Sequence, residues 1–266
     1  MKINIFLSLA FFVVALFNIH ATAEPPQFKI KKIDNYRCEC CGIGDFNKDG
    51  KIDIISGENI YFAPDWKKIK FREIKSDINS NGDGYAWDFM DAPIDVDGDG
   101  LLDVVTLSWH GKCIEWLKNP GIDKIDSLWE KFLVDKNGNF ESGDLFDVNG
   151  DGKKNEIVPH AQTTFWLNVE KKPDGTQGLV KHIVSTEKSH YGAGVGDING
   201  DGKPDFIRPT AWFEAPQKPN DEWIKHPLSL GSPDGQSEHT PQILVYDING
   251  DGRNDIITSS AHRYGI

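Results

Sequence analysis

Five stretches of the chain place oxygen-bearing side chains at the same intervals. They are Asp45, Asn47, Asp49 and Asp53; Asp95, Asp97, Asp99 and Asp103; Asp147, Asn149, Asp151 and Asn155; Asp197, Asn199, Asp201 and Asp205; and Asp247, Asn249, Asp251 and Asp255. Oxygens at positions one, three and five of a tight loop curl around one point, and a glycine at position six permits the sharp turn. A backbone carbonyl near position seven and the side chain at position nine can complete the shell. Ca²⁺ takes six to eight oxygens in flexible geometry, whereas zinc wants nitrogen or sulfur, which these loops lack. Up to five Ca²⁺ ions are therefore expected. A helix–loop–helix calcium site also needs an acidic ligand at position twelve, where this chain has Ser56, Thr106, Val158, Arg208 and Thr258. One copy alone would read equally well as a metal-free Asx–Gly turn. Five copies with the same ligand types favour the metal.

The elements that must position these loops are strands. Ile52–Ser56, Leu102–Thr106 and Asp255–Thr258 are short and rich in β-branched residues, too short for a helical period to develop. The loops start at residues 45, 95, 147, 197 and 247, a period of 50 or 52 residues. That is the size of one four-stranded propeller blade. An aromatic strand follows each of the first four loops, at Tyr61-Phe62, Trp116, Phe165-Trp166 and Trp212-Phe213. A further outer strand follows at Ile69–Ile74, Trp129–Val134, Leu179–Val184 and Trp223–His226. The expected fold is an all-β propeller of four-stranded blades with a calcium loop between the first two strands of each blade. The aromatic side chains are expected to fill the gaps between blades. Phe28–Ile33 reads as an outer strand for a blade whose other strands lie at the C-terminal end. The last unit stops at Ile266 with its third strand unwritten, so a truncated form of a larger, possibly seven-bladed ring is expected.

The Asp-x-Asx-x-Asp-Gly-x-x-Asx string and its spacing resemble the FG-GAP or VCBS repeats of secreted bacterial proteins and of the integrin head. That resemblance covers nearly all of residues 24–266 and implies a β-propeller. Asp144–Gly152, the Trp-x-x-x-Pro strands and Ser260–Gly265 are also similar to the propeller part of aldos-2-ulose dehydratase-like proteins. The second resemblance implies a carbohydrate dehydratase or lyase. No cupin-like domain accompanies it in this chain.

If the calcium hairpins share one face, the opposite face receives the starts of the first strands and the ends of the second. His110 and His262 then fall seven residues after their last loop ligand, and His160 five after its own, while His190 and His239 precede their loops. These five histidines converge on one rim. Tyr191 and Arg263 join them as candidate catalytic residues, with Arg37, Glu58, Trp87, Asp88, Trp109, Gln162, Arg208 and Tyr264 nearby. Indoles stack on sugar faces and polar groups bond hydroxyls, so the rim suits a carbohydrate or glycan ligand. The same groups can run an elimination: His or Tyr removes a proton alpha to a carbonyl, and Arg or a His-bound transition metal stabilises the enolate. A non-catalytic module that binds glycan or protein on that face is the alternative. His182 and His226 fall on outer strands.

The remaining features set the compartment. Lys2, the apolar run Ile5–Phe17 and Ala21-Thr22-Ala23 make a signal peptide over residues 1–23, cleaved after Ala23, so secretion or a periplasmic location is expected. The apolar run is too short for a membrane span of ~20 residues, and none is expected in the mature form. A net charge of −12, more than a third of whose 41 acidic residues lie in the five loops, disfavours nucleic acid. In an oxidising compartment Cys38 or Cys40 can pair with Cys113, and spacing does not choose between them. A zinc site is the other reading of these cysteines and Cys41, though no second closely spaced pair accompanies them.

Overall fold

The computed structural model describes residues 26–136, 138–218, 221–230, 240 and 242–259. Residues 26–34 form a segment of their own that holds no helix or strand. Phe28 and Ile30 are exposed there, at 87% and 96%. The outer strand expected at Phe28–Ile33 is therefore not formed: the stretch has no ladder partner among the described residues.

From Asn35 onward the chain is all-β. The first sheet is β1 (Gly42–Gly44), β2 (Asp53–Ser56), β3 (Asn59–Phe62) and β4 (Lys67–Lys70). The second is β5 (Met90–Ile94), β6 (Asp103–Ser108), β7 (Cys113–Lys118) and β8 (Glu130–Lys136). The third is β9 (Gly143–Phe146), β10 (Glu156–Pro159), β11 (Thr164–Lys171) and β12 (Gln177–Ser185). The fourth is β13 (Gly194–Gly196), β14 (Asp205–Arg208), β15 (Ala211–Glu214) and β16 (Ile224–Pro227). The fifth repeat contributes a pair, β17 (Ile243–Tyr246) and β18 (Asp255–Thr258). Each sheet is an antiparallel meander with its strands in sequence order. The first strands of neighbouring sheets adjoin: β1 meets β5, β5 meets β9, and β13 meets β17. Glycine allows that approach. A Cβ on Gly42 would stand 2.8 Å from the Asp91 carbonyl oxygen, and one on Gly194 2.6 Å from that of Ile243.

Apolar side chains pack between successive sheets. Phe46, Ile55 and Ile60 of the first repeat meet Val104, Leu117 and Trp129 of the second. Met90, Val105 and Leu107 meet Ile157, Phe165 and Leu167, and Val158 meets Val195, Phe206 and Phe213. The aromatic strands divide their labour. Phe62, Phe165 and Phe213 turn into these cores, while Trp116, Trp166 and Trp212 are half-buried and stack on Phe132, His182 and His226 of the outer strands.

The ninth loop residue holds each hairpin together. Asp103, fully buried, accepts N–H bonds from Val96 in its own loop (3.0 Å) and from Asn119 at the end of β7 (2.8 Å). Asp53 does the same with Phe46 and Ala63, and Asp205 with Ile198 and Ala215. Asp255 accepts from Ile248. Ala63, Asn119 and Ala215 each precede a proline, so the carboxylate anchors the residue before the one that ends the strand. The third repeat departs. Its ninth residue is Asn155, and Glu156 reaches back to Val148 N–H (2.9 Å) and Asn149 Nδ2 (2.7 Å) instead. Glu170 stands where the second and fourth repeats have their proline, and β11 runs for eight residues against four to six in the equivalent strands.

Removing the Asp103 carboxylate strands two buried N–H groups, each costing ~1–3 kcal/mol. Asp103→Ala is therefore expected to lower unfolding free energy by about 2–5 kcal/mol in a denaturant titration. A loss below about 1 kcal/mol would remove this bond pair from the account.

Candidate functional site

At one end of the hairpins the five loops share one conformation. In the first, Asp45 accepts backbone N–H bonds from Asp49 and Gly50, Asn47 accepts from Asp49, and Asp49 accepts from Lys51. The third, fourth and fifth loops repeat the set, and the second keeps it with Gly98 in place of Asp99 as a donor to Asp95. Gly50, Gly100, Gly152, Gly202 and Gly252 at position six all have φ between 81° and 86°. Each loop thus folds by its own Asx turns.

The donor set fits a hard cation. One carboxylate oxygen from each of Asp95, Asp97 and Asp99 lies within 4.8 Å of the others. Burial pushes the carboxyls of Asp53, Asp103, Glu156 and Asp205 up, and repulsion from the first and fifth loop residues or the third adds to the shift. A cation would relieve that repulsion. Lys118 on β7 already brings an ammonium to Asp97, with Asp99 at 3.9 Å. The ninth residues are also bonded within the protein. Asp53, Asp103 and Asp205 have both oxygens engaged by backbone N–H groups, which leaves only their remaining lone pairs for a metal.

At the other end of the hairpins, a cavity of about 550 Å³ opens between the first two sheets. It is lined by residues that follow β4, precede β5 and flank the β6–β7 turn, among them Arg72, Lys75, Trp87, Asp88, Thr106 and His110. The His110 ring stacks on Trp87 with centroids 5.5 Å apart and 23° between planes, and Tyr85 and Phe89 close around it at 5.7 and 5.8 Å. Lys75 Nζ lies 5.7 Å from the Trp87 ring centroid. The Trp87 indole N–H is buried and has no acceptor among the described residues.

Beneath these rings lies a buried charge network. Arg72 donates through Nε to the Gly57 carbonyl (2.7 Å) and through Nη2 to Asp88 (2.6 Å) and Asp91 (2.9 Å). Thr106 Oγ1 donates to the other Asp88 oxygen at 2.7 Å. One guanidinium serves two buried carboxylates, and desolvation wins over its attraction. Burial raises Asp88 to about 6 and Asp91 to about 7.

The expected histidine rim is only partly assembled. His110 lines the cavity. His160 is fully buried, its Nδ1 2.7 Å from Ser142 Oγ. Its Nε2 is 4.0 Å from Asp144, and burial, reinforced by the Arg208 charge, lowers its pKa to about 3, so this is no ion pair. His190 is exposed, and its carbonyl accepts from the buried Arg208 (2.9 Å). Tyr191 is buried against Trp109 with ring centroids 4.9 Å apart, which joins the second repeat to the approach of the fourth. Burial raises the Tyr191 phenol. His239, His262 and Arg263 lie outside the described residues. His182 and His226 lie on outer strands, paired with Glu170 (2.6 Å) and Glu214 (2.8 Å). Sequence spacing had placed Trp87 and Asp88 near the rim; it gave no sign of Arg72 or Asp91, which long-range pairing brings in.

No protein-family model and no curated protein matches the chain. Among solved structures, that of the V. cholerae biofilm matrix protein Bap1 is similar at 20% identity, with a TM-score of 0.45. The similarity covers 82% of this chain and 34% of that one, so the chain spans about a third of that protein's length.

The neutral His160 gives a testable pH signature. Its folded pKa lies below the ordinary 6.5, so the unfolded chain takes up a proton first as pH falls. The stabilising effect of a neutral core imidazole is full above about 6.5 and is lost as pH drops toward 3. Imidazole ¹⁵N spectra of the folded protein at pH 5 are expected to show His160 neutral. A titration midpoint near 6.5 for that residue would contradict the buried placement.

Proposed function

We propose that the chain is an exported, calcium-stabilised β-propeller of the FG-GAP or VCBS kind that binds carbohydrate in the cavity beside Trp87 and His110. The propeller reading is supported by meander sheets in series, cores between successive sheets and adjoining first strands. The Trp109–Tyr191 contact, which reaches across the third repeat, supports it further. Export rests on the signal-like N-terminus, and no helix among the described residues is long and apolar enough to cross a membrane. Calcium rests on the oxygen-only loops.

The observation that carries the ligand is the buried Trp87 N–H without an acceptor, at a cavity edged by stacked rings. An unmet buried donor costs ~1–3 kcal/mol, which a sugar hydroxyl would recover. Aromatic faces take the apolar side of a pyranose, while Thr106, Lys75 and Asp88 offer hydroxyl partners. The net negative charge disfavours nucleic acid.

Catalytic elimination is the second reading, favoured by one observation. Asp88 faces the cavity with its carboxyl raised to about 6, where it can give or take a proton near neutrality. Calorimetry of the calcium-loaded protein against neutral and uronic-acid oligosaccharides tests the binding reading. Trp87→Ala is expected to weaken binding about tenfold or more, since a ring contact and its burial exceed ~1.4 kcal/mol. No binding across the panel, or unchanged affinity in a folded Trp87→Ala protein, would overturn it. Ultraviolet absorbance of an unsaturated product in the same samples reports on elimination.

A further inference from the structure

Cys38 and Cys40, which precede β1, stand against the buried carboxylates Asp88 and Asp91. The two Sγ atoms are 3.8 Å apart, Cys38 Sγ is 3.3 Å from Asp88 Oδ2, and Cys40 Sγ is 3.5 Å from Asp91 Oδ2. Donor atoms of Cys38, Cys40 and Asp88 all lie within 4.8 Å of one another. All four cysteines are free thiols, so neither expected link to Cys113 is present.

These distances match a tetrahedral thiophilic metal. Two sulfurs each ~2.3 Å from zinc, at the tetrahedral angle, stand ~3.8 Å apart. A sulfur and a carboxylate oxygen at ~2.0 Å stand ~3.5 Å apart. A disulfide would instead need ~2.05 Å. A second observation points the same way: Asp91 Oδ1 is buried and makes no hydrogen bond, with Arg72 Nη2 2.8 Å away by charge contact alone. Charge also balances. A divalent cation that displaces both thiol protons leaves the net charge of the Arg72–Asp88–Asp91 cluster unchanged. Arg72 and Thr106, already bonded to Asp88, would orient it as a ligand.

We propose that Cys38, Cys40 and Asp88, with Asp91 behind them, form a site for one thiophilic divalent cation of the zinc class. The sulfur donors separate this site from the oxygen-only loops. The inference does not rest on the carbohydrate reading.

Cobalt(II) tests it, because thiolate ligation gives a sulfur-to-cobalt charge-transfer band in the near ultraviolet and oxygen ligation does not. The full-length protein is reduced, its four thiols are confirmed by titration, and saturating Ca²⁺ occupies the loops before cobalt is added. One equivalent is expected to produce the band, and zinc to bleach it. Cys38→Ser and Cys40→Ser are each expected to weaken cobalt binding at least about tenfold. Cys113→Ser is expected to leave the band intact. Absence of the band in fully reduced wild type overturns the proposal, as does a band that survives in the Cys38→Ser/Cys40→Ser protein. Both results are read independently of any glycan.

Discussion

A buried carboxylate at the end of the first, second and fourth loops is the interaction on which the described structure turns. Asp103 ties three pieces of chain at once: its own backbone at the start of β6, the loop through Val96 and the end of β7 through Asn119. Asn119 then carries the tie outward, donating to the Phe46 carbonyl of the preceding repeat at 3.0 Å and to the Leu102 carbonyl of its own. A buried, hydrogen-bonded charge of this kind is expensive to leave unmatched, so the backbone is held to one geometry. The third repeat shows what happens when the residue changes. With Asn155 at position nine, Glu156 takes over part of the task and the neighbouring hairpin lengthens.

The carboxylate also explains the division between the two ends of the hairpins. At the loop end, acidic groups are gathered at a density that only turn hydrogen bonds and a few cations such as Lys118 moderate. At the other end two acidic groups, Asp88 and Asp91, are buried and share Arg72. Aromatic rings, an unsatisfied indole N–H and two thiols collect there. Donor chemistry at the two ends therefore differs in kind, with carboxylate oxygens at one and aromatic rings and thiols at the other.

Much of this was legible because it is repetitive. A 50- or 52-residue period announces one structural unit, and the β-branched runs after each loop became β2, β6 and β18 within a residue or two. Outer strands shifted by a few residues: Ile69–Ile74 was expected, and β4 is Lys67–Lys70, since Phe71 leaves the ladder to enter the core. What could not be read was burial. His160 and His110 carry the same side chain after the same strand, yet one lies in the core and the other in a cavity. At position nine, spacing shows distance along the chain and not the N–H groups that approach from the ends of β3 or β7. The Arg72–Asp88–Asp91 cluster depends on three separate segments and leaves no periodic trace.

The central claim is that the five loops are cation sites that act together with the buried carboxylates. Native mass spectrometry of the protein dialysed against Ca²⁺, compared with single loop variants, addresses it most directly. The account predicts up to five calcium adducts on the wild type and one fewer for Asp97→Ala or Asp201→Ala, with the other loops still loaded. A wild type that retains no calcium, or a single-loop variant that sheds every ion at once, would contradict it.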